Sequence, residues 1–217
     1  MTLVAVFIEA RPLTCRLQLE ISRPETLNPI KQDVKKGALR YIHDPYPFNY
    51  GAFPQTWEDP AHVTPATNAK GDNDPLDVCE VGKADGKTGQ IKQVKILGTW
   101  AMIDDGETDW KILVIDVNDP KAADIHDADS LEAAYPGTLK STFEFLRDYK
   151  IPAGSGPNSF AFDNALKDRE FALGVINETN TLWKSLFNKE GHEIALANTT
   201  QASHTISSDE AKAAAKL

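Results

Sequence analysis

The first half of the chain consists of short apolar runs separated by turn-forming residues. Within residues 16–21, Leu17, Leu19 and Ile21 occupy alternate positions, which predicts a strand with one apolar face. The same reasoning predicts further strands at Leu3 to Ile8, Gly51 to Phe53, Leu76 to Val81, Ile91 to Ile103 and Trp110 to Val117. The turn at residues 104–108 joins the last two as a hairpin. Several short strands with turns between them predict a small antiparallel barrel.

The second half carries helical spacing instead. Ser130 can cap a short helix over Leu131 to Tyr135, and Pro136 opens a second helix that extends to about Lys150. A third helix is predicted from Asp163 to Phe187, where apolar residues form one stripe: Leu166, Phe171, Val175, Ile176, Leu182 and Leu186. Two to three core-facing helices are therefore expected in an α+β, mainly β fold.

Composition sets the domain organisation. The chain has 217 residues and is 41% hydrophobic, which suits one domain with a sizeable core. Beyond about Asn188 the sequence becomes polar and loses its periodicity. We predict a single domain over residues 1–187 and a mobile tail over residues 188–217. No run approaches the roughly 20 apolar residues of a membrane span, and residues 3–8 lack the flanks of a secretory signal.

Charge and cysteine content narrow the classes of partner. The formal net charge of −9 argues against nucleic acid or an anionic membrane as the main partner. A small anionic substrate stays open, because bound cations can invert the sign of a local site. Cys15 and Cys79 are the two cysteines, and they are too few and too far apart for a disulfide framework or a zinc site. We expect a reduced, cytoplasmic setting.

The segment Gly71-Asp72-Asn73-Asp74-Pro75-Leu76-Asp77 is the most informative in the sequence. Carboxylates about 4 Å apart repel by roughly 4 kcal/mol at an effective dielectric of 20, so three of them beside a strand need compensation. A hard divalent cation such as Mg²⁺, Mn²⁺ or Ca²⁺ provides it through oxygen ligands. The segment lacks the EF-hand pattern. The alternative is a solvated acidic loop.

A second acidic cluster surrounds the turn at Gly106 and includes Asp104 and Asp109. In an extended strand, Asp109 and Lys111 project from the same face roughly 7 Å apart, which places a cation ligand beside a positive charge. A phosphate bridged by a metal ion requires this pairing. The alternative is an exposed acidic hairpin tip with one salt bridge. Further candidates for phosphate binding are Arg40, Tyr149 and Lys150.

Several ordered motifs resemble the eukaryotic-type soluble (family I) inorganic pyrophosphatases. The signature is Asp-Asn-Asp-Pro-Leu-Asp-Val at residues 72–78. Other matching segments are Glu-Thr-Leu-Asn-Pro-Ile at 25–30, Asn-Tyr-Gly-Ala-Phe-Pro-Gln-Thr-Trp-Glu-Asp-Pro at 49–60, Gly-Glu-Thr-Asp-Trp-Lys at 106–111, Tyr-Lys-Ile-Pro at 149–152 and Phe-Ala-Phe at 160–162. The resemblance extends from about Leu19 to Phe187.

The resemblance implies a closed five-stranded OB-like β-barrel with flanking strands. It implies hydrolysis of pyrophosphate to two phosphates with Mg²⁺, for which Mn²⁺ can substitute. The metal ligands that it implies are Asp72, Asp77, Asp109, Asp104 and Glu20. Asp74 would orient and deprotonate the attacking water. The groups that hold phosphate oxygens and stabilise the leaving group would be Arg40, Tyr50, Lys111, Tyr149 and Lys150.

The chain departs from the family pattern in three places. Gln18 stands where the family usually carries an active-site Lys, and the segment between Tyr41 and Asn49 is several residues short. The long region that the family has before the position of Glu20 corresponds here to residues 1–19, and the beginning of this stretch does not align. These departures keep an alternative open, a catalytically impaired relative that acts as a metal-binding, phosphate-binding or interaction module. They also leave the family's homodimer open. The end Ala215-Lys216-Leu217 resembles a Ser-Lys-Leu peroxisomal address, so a peroxisomal location is the alternative to the cytoplasm.

Overall fold

The computed structural model describes residues 2–9, 18–35, 37–201 and 203–215. Cys15, the beginning of the strand predicted at 16–21, and the last two residues of the predicted peroxisomal address lie outside them. Among the described residues, no helix is both long enough and apolar enough to cross a membrane.

Twelve strands and four α-helices are described. The strands are β1 Thr2–Glu9, β2 Leu19–Ile21, β3 Ile30–Gln32, β4 Val34–Lys35, β5 Ala38–Leu39, β6 Asn49–Ala52, β7 Val63–Thr64, β8 Ala69–Lys70, β9 Asp77–Glu80, β10 Ile91–Asp104, β11 Glu107–Asp116 and β12 Ser159–Phe160. The helices are α1 Ala128–Ala134, α2 Thr138–Asp148, α3 Arg169–Leu186 and α4 Ser208–Ala215. The prediction of an α+β, mainly β fold is confirmed.

One six-stranded sheet organises the molecule, in the order β1-β6-β9-β11-β10-β12, and β1 pairs with β10 as well as with β6. Its longest pairing is the β10–β11 hairpin, where Asp104 lies opposite Glu107. Asp105 and Gly106 form the turn with φ values of 49° and 89°, the left-handed geometry of a tight hairpin. The predicted hairpin is therefore confirmed.

The prediction that all the barrel strands are antiparallel is wrong for one pair. β9 and β11 are parallel, with Asp77 opposite Lys111. A parallel pair needs a crossover connection, and β10 with its hairpin supplies this connection. The correction matters for the site, because the parallel register brings the beginnings of both strands together.

The predicted helix boundaries need correction. Helix α1 begins at Ala128 because Asp127, rather than Ser130, is its N-cap: the Asp127 carboxylate accepts the Ser130 N–H at 2.8 Å. Helix α2 begins after Gly137, which has a φ of 85°, and not at Pro136. Helix α3 begins at Arg169 rather than Asp163, since residues 162–164 have positive φ values.

Helix α4 is an addition to the predicted two to three helices. It lies within residues 188–217, for which the sequence pattern predicts no helix. The mobility of this tail stays a prediction.

The β11 strand is buried on both faces, so its alternate side chains enter two cores. Leu113 and Ile115 belong to the first core, together with residues of α1 and α2. Ile112 and Val114 belong to the second core, together with residues of α3. Full burial of such side chains contributes about 1.5–3 kcal/mol each. Packing on both sides therefore fixes the position of β11, and with it the polar residues at its beginning.

Candidate active site

A polar cavity of about 270 Å³ opens at the beginning of β9 and β11. Its lining includes most of the residues that the sequence singled out: Glu20, Arg40, Tyr50, Asp72, Asp74, Asp77, Asp104, Asp109, Lys111 and Tyr149. Lys150 is the exception, because it is not part of the lining. Its ammonium forms an ion pair with Asp104 at the edge of the cavity.

Residues 71–77, which we call the acidic loop, are held by the backbone of the preceding segment. The Asn73 N–H donates to the Glu58 carbonyl at 2.8 Å, and the Glu58 N–H donates to the Asp74 carbonyl at 2.9 Å. The Trp57 indole donates to the Asn73 side chain at 2.9 Å. A Cβ at Gly71 would lie 2.4 Å from the Glu58 carbonyl group, so only glycine permits this approach. The loop is thereby fixed before any ligand binds.

Lys111 lies between two carboxylates. Its Nζ is 2.7 Å from Asp109 Oδ2 and also forms an ion pair with Asp77. Burial alone lowers the pKa of a lysine, but Asp109 and Asp77 outweigh it and raise the pKa of Lys111 well above its usual value. Lys111 is therefore a buried, charged ammonium that the parallel pairing of β9 and β11 places beside Asp77.

Three carboxyl groups are arranged to share a cation. Glu58, Asp72 and Asp109 each offer one oxygen, and these oxygens all lie within 4.8 Å of one another. Glu58 Oε2 and Asp109 Oδ1 are buried without a hydrogen-bond partner among the described residues. Uncompensated buried carboxylate oxygens are costly, and a hard divalent ion compensates them with the ligand type that it prefers. The residues therefore fit a metal ion.

The ionisation of this group reflects the same crowding. Burial raises the pKa of Asp109 and the ammonium of Lys111 lowers it. The net effect is a rise to about 7. Burial, followed by repulsion from Asp72 and Asp109, raises the pKa of Glu58. Burial, followed by repulsion from Asp109, also raises the pKa of Asp72. A positive ion in their midst would lower all three.

Glu20 and Tyr50 close one side of the cavity. The Tyr50 hydroxyl donates to Asp77 Oδ1 at 2.8 Å, and it lies 3.3 Å from Glu20 Oε2. Burial and repulsion from Asp77 raise the pKa of Glu20 well above its usual value. Gln18 donates its amide to Glu20 at 3.2 Å, so this buried position supplies a neutral donor.

Arg40 and Tyr149 also line the cavity, where they offer a guanidinium and a phenol hydroxyl. Arg40 Nη1 is held by Asp33 Oδ2 at 2.7 Å, and the Tyr149 hydroxyl lies 3.5 Å from Asp104 Oδ2. The structure thus brings the predicted carboxylates and the predicted phosphate-binding groups to one cavity, with Lys150 at its edge.

Sequence reasoning missed Glu58, Arg23 and Tyr46. Arg23 Nε is 3.3 Å from Asp74 Oδ1, and Tyr46 stacks on Tyr50 with ring centroids 5.3 Å apart. The sequence offered a signal for Glu58, because this carboxylate lies between Trp57 and Asp59 in the family-like segment 49–60. No local pattern marks Arg23, because its partner Asp74 is distant in sequence. Tyr46 lies four residues before Tyr50, but no sequence motif marks this pair.

Residues 8–184 match the family model described as inorganic pyrophosphatase. This chain belongs to the inorganic pyrophosphatase family. An inorganic pyrophosphatase of Dictyostelium discoideum is 54% identical over 200 residues, which are 91% of this chain and 72% of the relative. A second inorganic pyrophosphatase, from Debaryomyces hansenii, is 50% identical over 93% of this chain and 73% of the relative. The predicted resemblance to eukaryotic-type pyrophosphatases is confirmed.

Solved pyrophosphatase structures have the same fold. The inorganic pyrophosphatase of Schistosoma japonicum superposes with a TM-score of 0.88 at 43% identity and covers 94% of this chain and 74% of that chain. A truncated vacuolar soluble pyrophosphatase of Trypanosoma cruzi, solved in complex with PPi, gives a TM-score of 0.82 at 39% identity over 87% of this chain and 71% of that chain. The polar cavity is the candidate active site of this pyrophosphatase fold.

Proposed function

We propose that this chain is a Mg²⁺-dependent inorganic diphosphatase that hydrolyses pyrophosphate to two orthophosphates. The observation that carries the proposal is the meeting of Glu58, Asp72 and Asp109 beside the ammonium of Lys111, with one buried oxygen of Glu58 and one of Asp109 left without a hydrogen-bond partner among the described residues. Family membership supports the same reaction. No feature of the described residues favours the alternative of an impaired metal-binding, phosphate-binding or interaction module over hydrolysis.

The metal ligands in this proposal are the predicted set Asp72, Asp77, Asp109, Asp104 and Glu20, to which the structure adds Glu58. Their all-oxygen chemistry suits Mg²⁺, with Mn²⁺ as a substitute. When bound, the ions neutralise phosphate charge and lower the pKa of water. The chain's own contribution is to hold these carboxylates in one buried cluster before the ions arrive.

Asp74 is the proposed general base. It lines the cavity, and burial, opposed by Arg23, raises its pKa to about 6. A base with a pKa near the working pH combines a useful fraction of the ionised form with a useful affinity for the proton. Asp74 would orient the attacking water and accept its proton.

The phosphate oxygens would be held by Arg40, Lys111, Tyr149, Lys150 and Tyr50. Arginine can hold two oxygens at once, whereas lysine acts as a point charge. The charge that develops on the leaving phosphate is stabilised by these fixed donors, since phosphoryl transfer depends mainly on positioning and electrostatics. An acidic protein could bind this anion because cations held by its carboxylates would neutralise the charge of the substrate.

Other parts of the proposal concern the whole chain. Pairing of β1 with both β6 and β10 supports a closed five-stranded OB-like barrel. Residues 1–187 form the catalytic domain and residues 188–217 a tail. Pyrophosphate and phosphate are the small-molecule partners. A homodimer is the candidate assembly, which a measurement of molecular mass in solution tests. The proposed location is the cytoplasm, with the peroxisome as the alternative.

The decisive experiment compares phosphate release from pyrophosphate by the wild-type protein and by Asp74→Asn with Mg²⁺. Removal of the base should lower kcat by about 100-fold or more. The control is Asp85→Asn, which removes the charge of an exposed aspartate and should leave the rate unchanged. Equal rates for Asp74→Asn and wild type would end the assignment of Asp74, and absence of Mg²⁺-dependent release by the wild type would end the enzyme proposal.

A further inference from the structure

Arg23 lies in the wall between two cavities. It lines the polar cavity and also a larger apolar cavity of about 480 Å³. Residues 194–198, which belong to the C-terminal segment (residues 188–217), also line the apolar cavity. These residues follow the part of the chain that matches the family model, which ends at residue 184. Arg23 therefore connects the acidic site to a segment outside the family match.

On the site side, Arg23 contacts two aspartates of the acidic loop. Its Nε is 3.3 Å from Asp74 Oδ1, and its Nη1 donates to the Asp72 carbonyl oxygen at 3.3 Å. One planar guanidinium thus holds the side chain of the proposed base and the backbone of a proposed metal ligand. Because its donors are in a rigid fork, the contact fixes the orientation of Asp74 as well as its distance.

On the other side, the backbone of Arg23 is itself held. Its carbonyl oxygen accepts the Ala195 N–H at 2.8 Å and the Asn28 side-chain amide at 2.8 Å. The same Asn28 amide lies 3.3 Å from the Ala195 carbonyl oxygen. Asn28 has a φ of 46°, a left-handed conformation that asparagine tolerates better than most residues. The C-terminal segment is therefore bonded to the residue that holds the acidic loop.

A second contact connects the C-terminal segment to the acidic loop by another route. Lys189 forms an ion pair with Asp59, which is buried, and its Nζ lies 4.8 Å from the centre of the Trp57 ring. Trp57 in turn donates to the Asn73 side chain at 2.9 Å. Both routes end on neighbouring residues of the acidic loop.

We propose that Arg23 is a positioning residue for catalysis, which orients Asp74 and the Asp72 backbone and is braced by the C-terminal segment at Ala195. This inference rests on the role proposed for Asp74. Since Arg23 acts on the protein and not on the substrate, its removal lowers kcat and the affinity for metal, while KM for pyrophosphate stays nearly constant.

The test compares Arg23→Met, Arg23→Lys and Asn28→Gly in the full chain. Asn28→Gly removes the amide but keeps the backbone freedom that a positive φ needs. The matched control is Arg147→Met, which removes another Arg–Asp ion pair of similar exposure: 43% and 38% for Arg147 and Asp148, against 34% and 41% for Arg23 and Asp74. For each variant, kcat and KM are measured with Mg²⁺, Mn²⁺ affinity is measured by electron paramagnetic resonance without pyrophosphate, and Tm is recorded.

Arg23→Met should lower kcat by about 10- to 100-fold, the size of effect expected from small misplacements. It should weaken Mn²⁺ binding by about 10-fold, with KM changed by less than about threefold. Arg23→Lys should recover most of the rate, Asn28→Gly should show a smaller loss of kcat, and Arg147→Met should match wild type. Because the Arg23–Asp74 ion pair is only partly buried, with side-chain exposures of 34% and 41%, Tm should change little.

Three results would overturn the inference: an unchanged kcat in Arg23→Met, a raised KM with unchanged kcat, or equal losses in Arg23→Lys and Arg23→Met. If Arg23→Met fails to fold, an unchanged kcat in Asn28→Gly would also overturn it. If Asp74→Asn is inactive while Arg23→Met keeps its rate, this inference alone fails. If Asp74→Asn keeps its rate, the proposed base fails, and the inference fails with it.

Discussion

Buried charge at Lys111, Asp109 and Asp77 is kept in place by the neighbours of each group. Burial favours the neutral forms of Lys111 and Asp109. The ammonium stays charged because two carboxylates contact it. Within the part of the chain that the structure describes, one oxygen of Asp109 has no hydrogen-bond partner, so the lysine compensates the carboxylates only in part. The remaining negative charge is what makes the group a cation site.

The substitution Glu58→Gln tests whether the remaining negative charge makes this group a cation site. Glu58→Gln keeps the oxygen that accepts the Trp110 N–H at 3.1 Å and removes the charge that repels Asp72 and Asp109. The metal-free protein should melt at a higher temperature, because like-charge repulsion is reduced. Mn²⁺ affinity should fall by about 10-fold or more. Titration followed by electron paramagnetic resonance measures the affinity. The control is the exposed Glu190→Gln, and an unchanged affinity in Glu58→Gln would remove Glu58 from the site.

For Gln18 we predict a substitution that raises activity. Gln18 is buried and its side-chain amide donates to Glu20, at a position where the resemblance to the family predicts a lysine. Gln18→Lys should pair with Glu20 and add a positive charge next to the phosphate site. Since one donor to developing charge is worth about 3–4 kcal/mol, kcat/KM should rise at least about tenfold. Phosphate-release kinetics check this against the exposed Gln93→Lys, and an unchanged kcat/KM would show that the missing lysine does not limit this enzyme.

The acidic loop and the β10–β11 hairpin are local structures that meet through other elements. The loop is bonded to residues 57–58, and the Thr108 hydroxyl donates to the Ala69 carbonyl oxygen at 3.1 Å. An isolated bridge between Gly71 and Thr108 continues this contact. The loop therefore meets the beginning of β11 at the point where Asp72 must reach Asp109.

Gly71 is the position where this contact is tightest. In Gly71→Ala, the new Cβ would lie 2.4 Å from the Glu58 carbonyl group, so the backbone must separate. Overpacking of this kind costs about 1–3 kcal/mol, and a shift of about 1 Å at the site can lower kcat by about 100-fold. Tm and kcat together test the prediction.

Gly174→Ala in α3 is the matched control for Gly71→Ala. A Cβ at Gly174 would have no atom of the described residues within 4 Å, and alanine favours the helix by about 0.5–1 kcal/mol. Full activity in Gly71→Ala would contradict the proposed role of this close approach.

The molecule as a whole assembles a cluster of carboxylates that is unfavourable without a cation. Folding raises the pKa of Asp74 from 3.8 to about 6 and that of Asp109 from 3.8 to about 7. For a raised pKa, the stabilising contribution is complete below the unfolded value and is lost as pH rises through the folded value. The stability of the metal-free protein should therefore fall as pH rises from about 4 to about 7 and stay low above pH 7.

Mg²⁺ should reverse this loss, because the ligands bind metal in their ionised form. At about 100 times the dissociation constant, binding contributes about 2.7 kcal/mol, which corresponds to a rise in Tm of about 5–10 °C for a chain of this length. The rise should be larger at pH 8 than at pH 5.5. Melting with Mg²⁺ or with a chelator at both pH values measures it, and an equal rise at both would contradict the assignment of the cluster as the metal site.

The amino-acid sequence by itself determined the mainly β fold, the long hairpin and the carboxylates of the two acidic clusters. These depend on alternation, turn chemistry and residue type, which are properties of neighbouring residues. Tertiary structure decided the parallel pairing that places Asp77 beside Lys111, the inclusion of Glu58, and the connection of Ala195 through Arg23 to Asp74. Such contacts join residues far apart in the chain, so they depend on strand register and packing of the whole fold, and no local pattern encodes them.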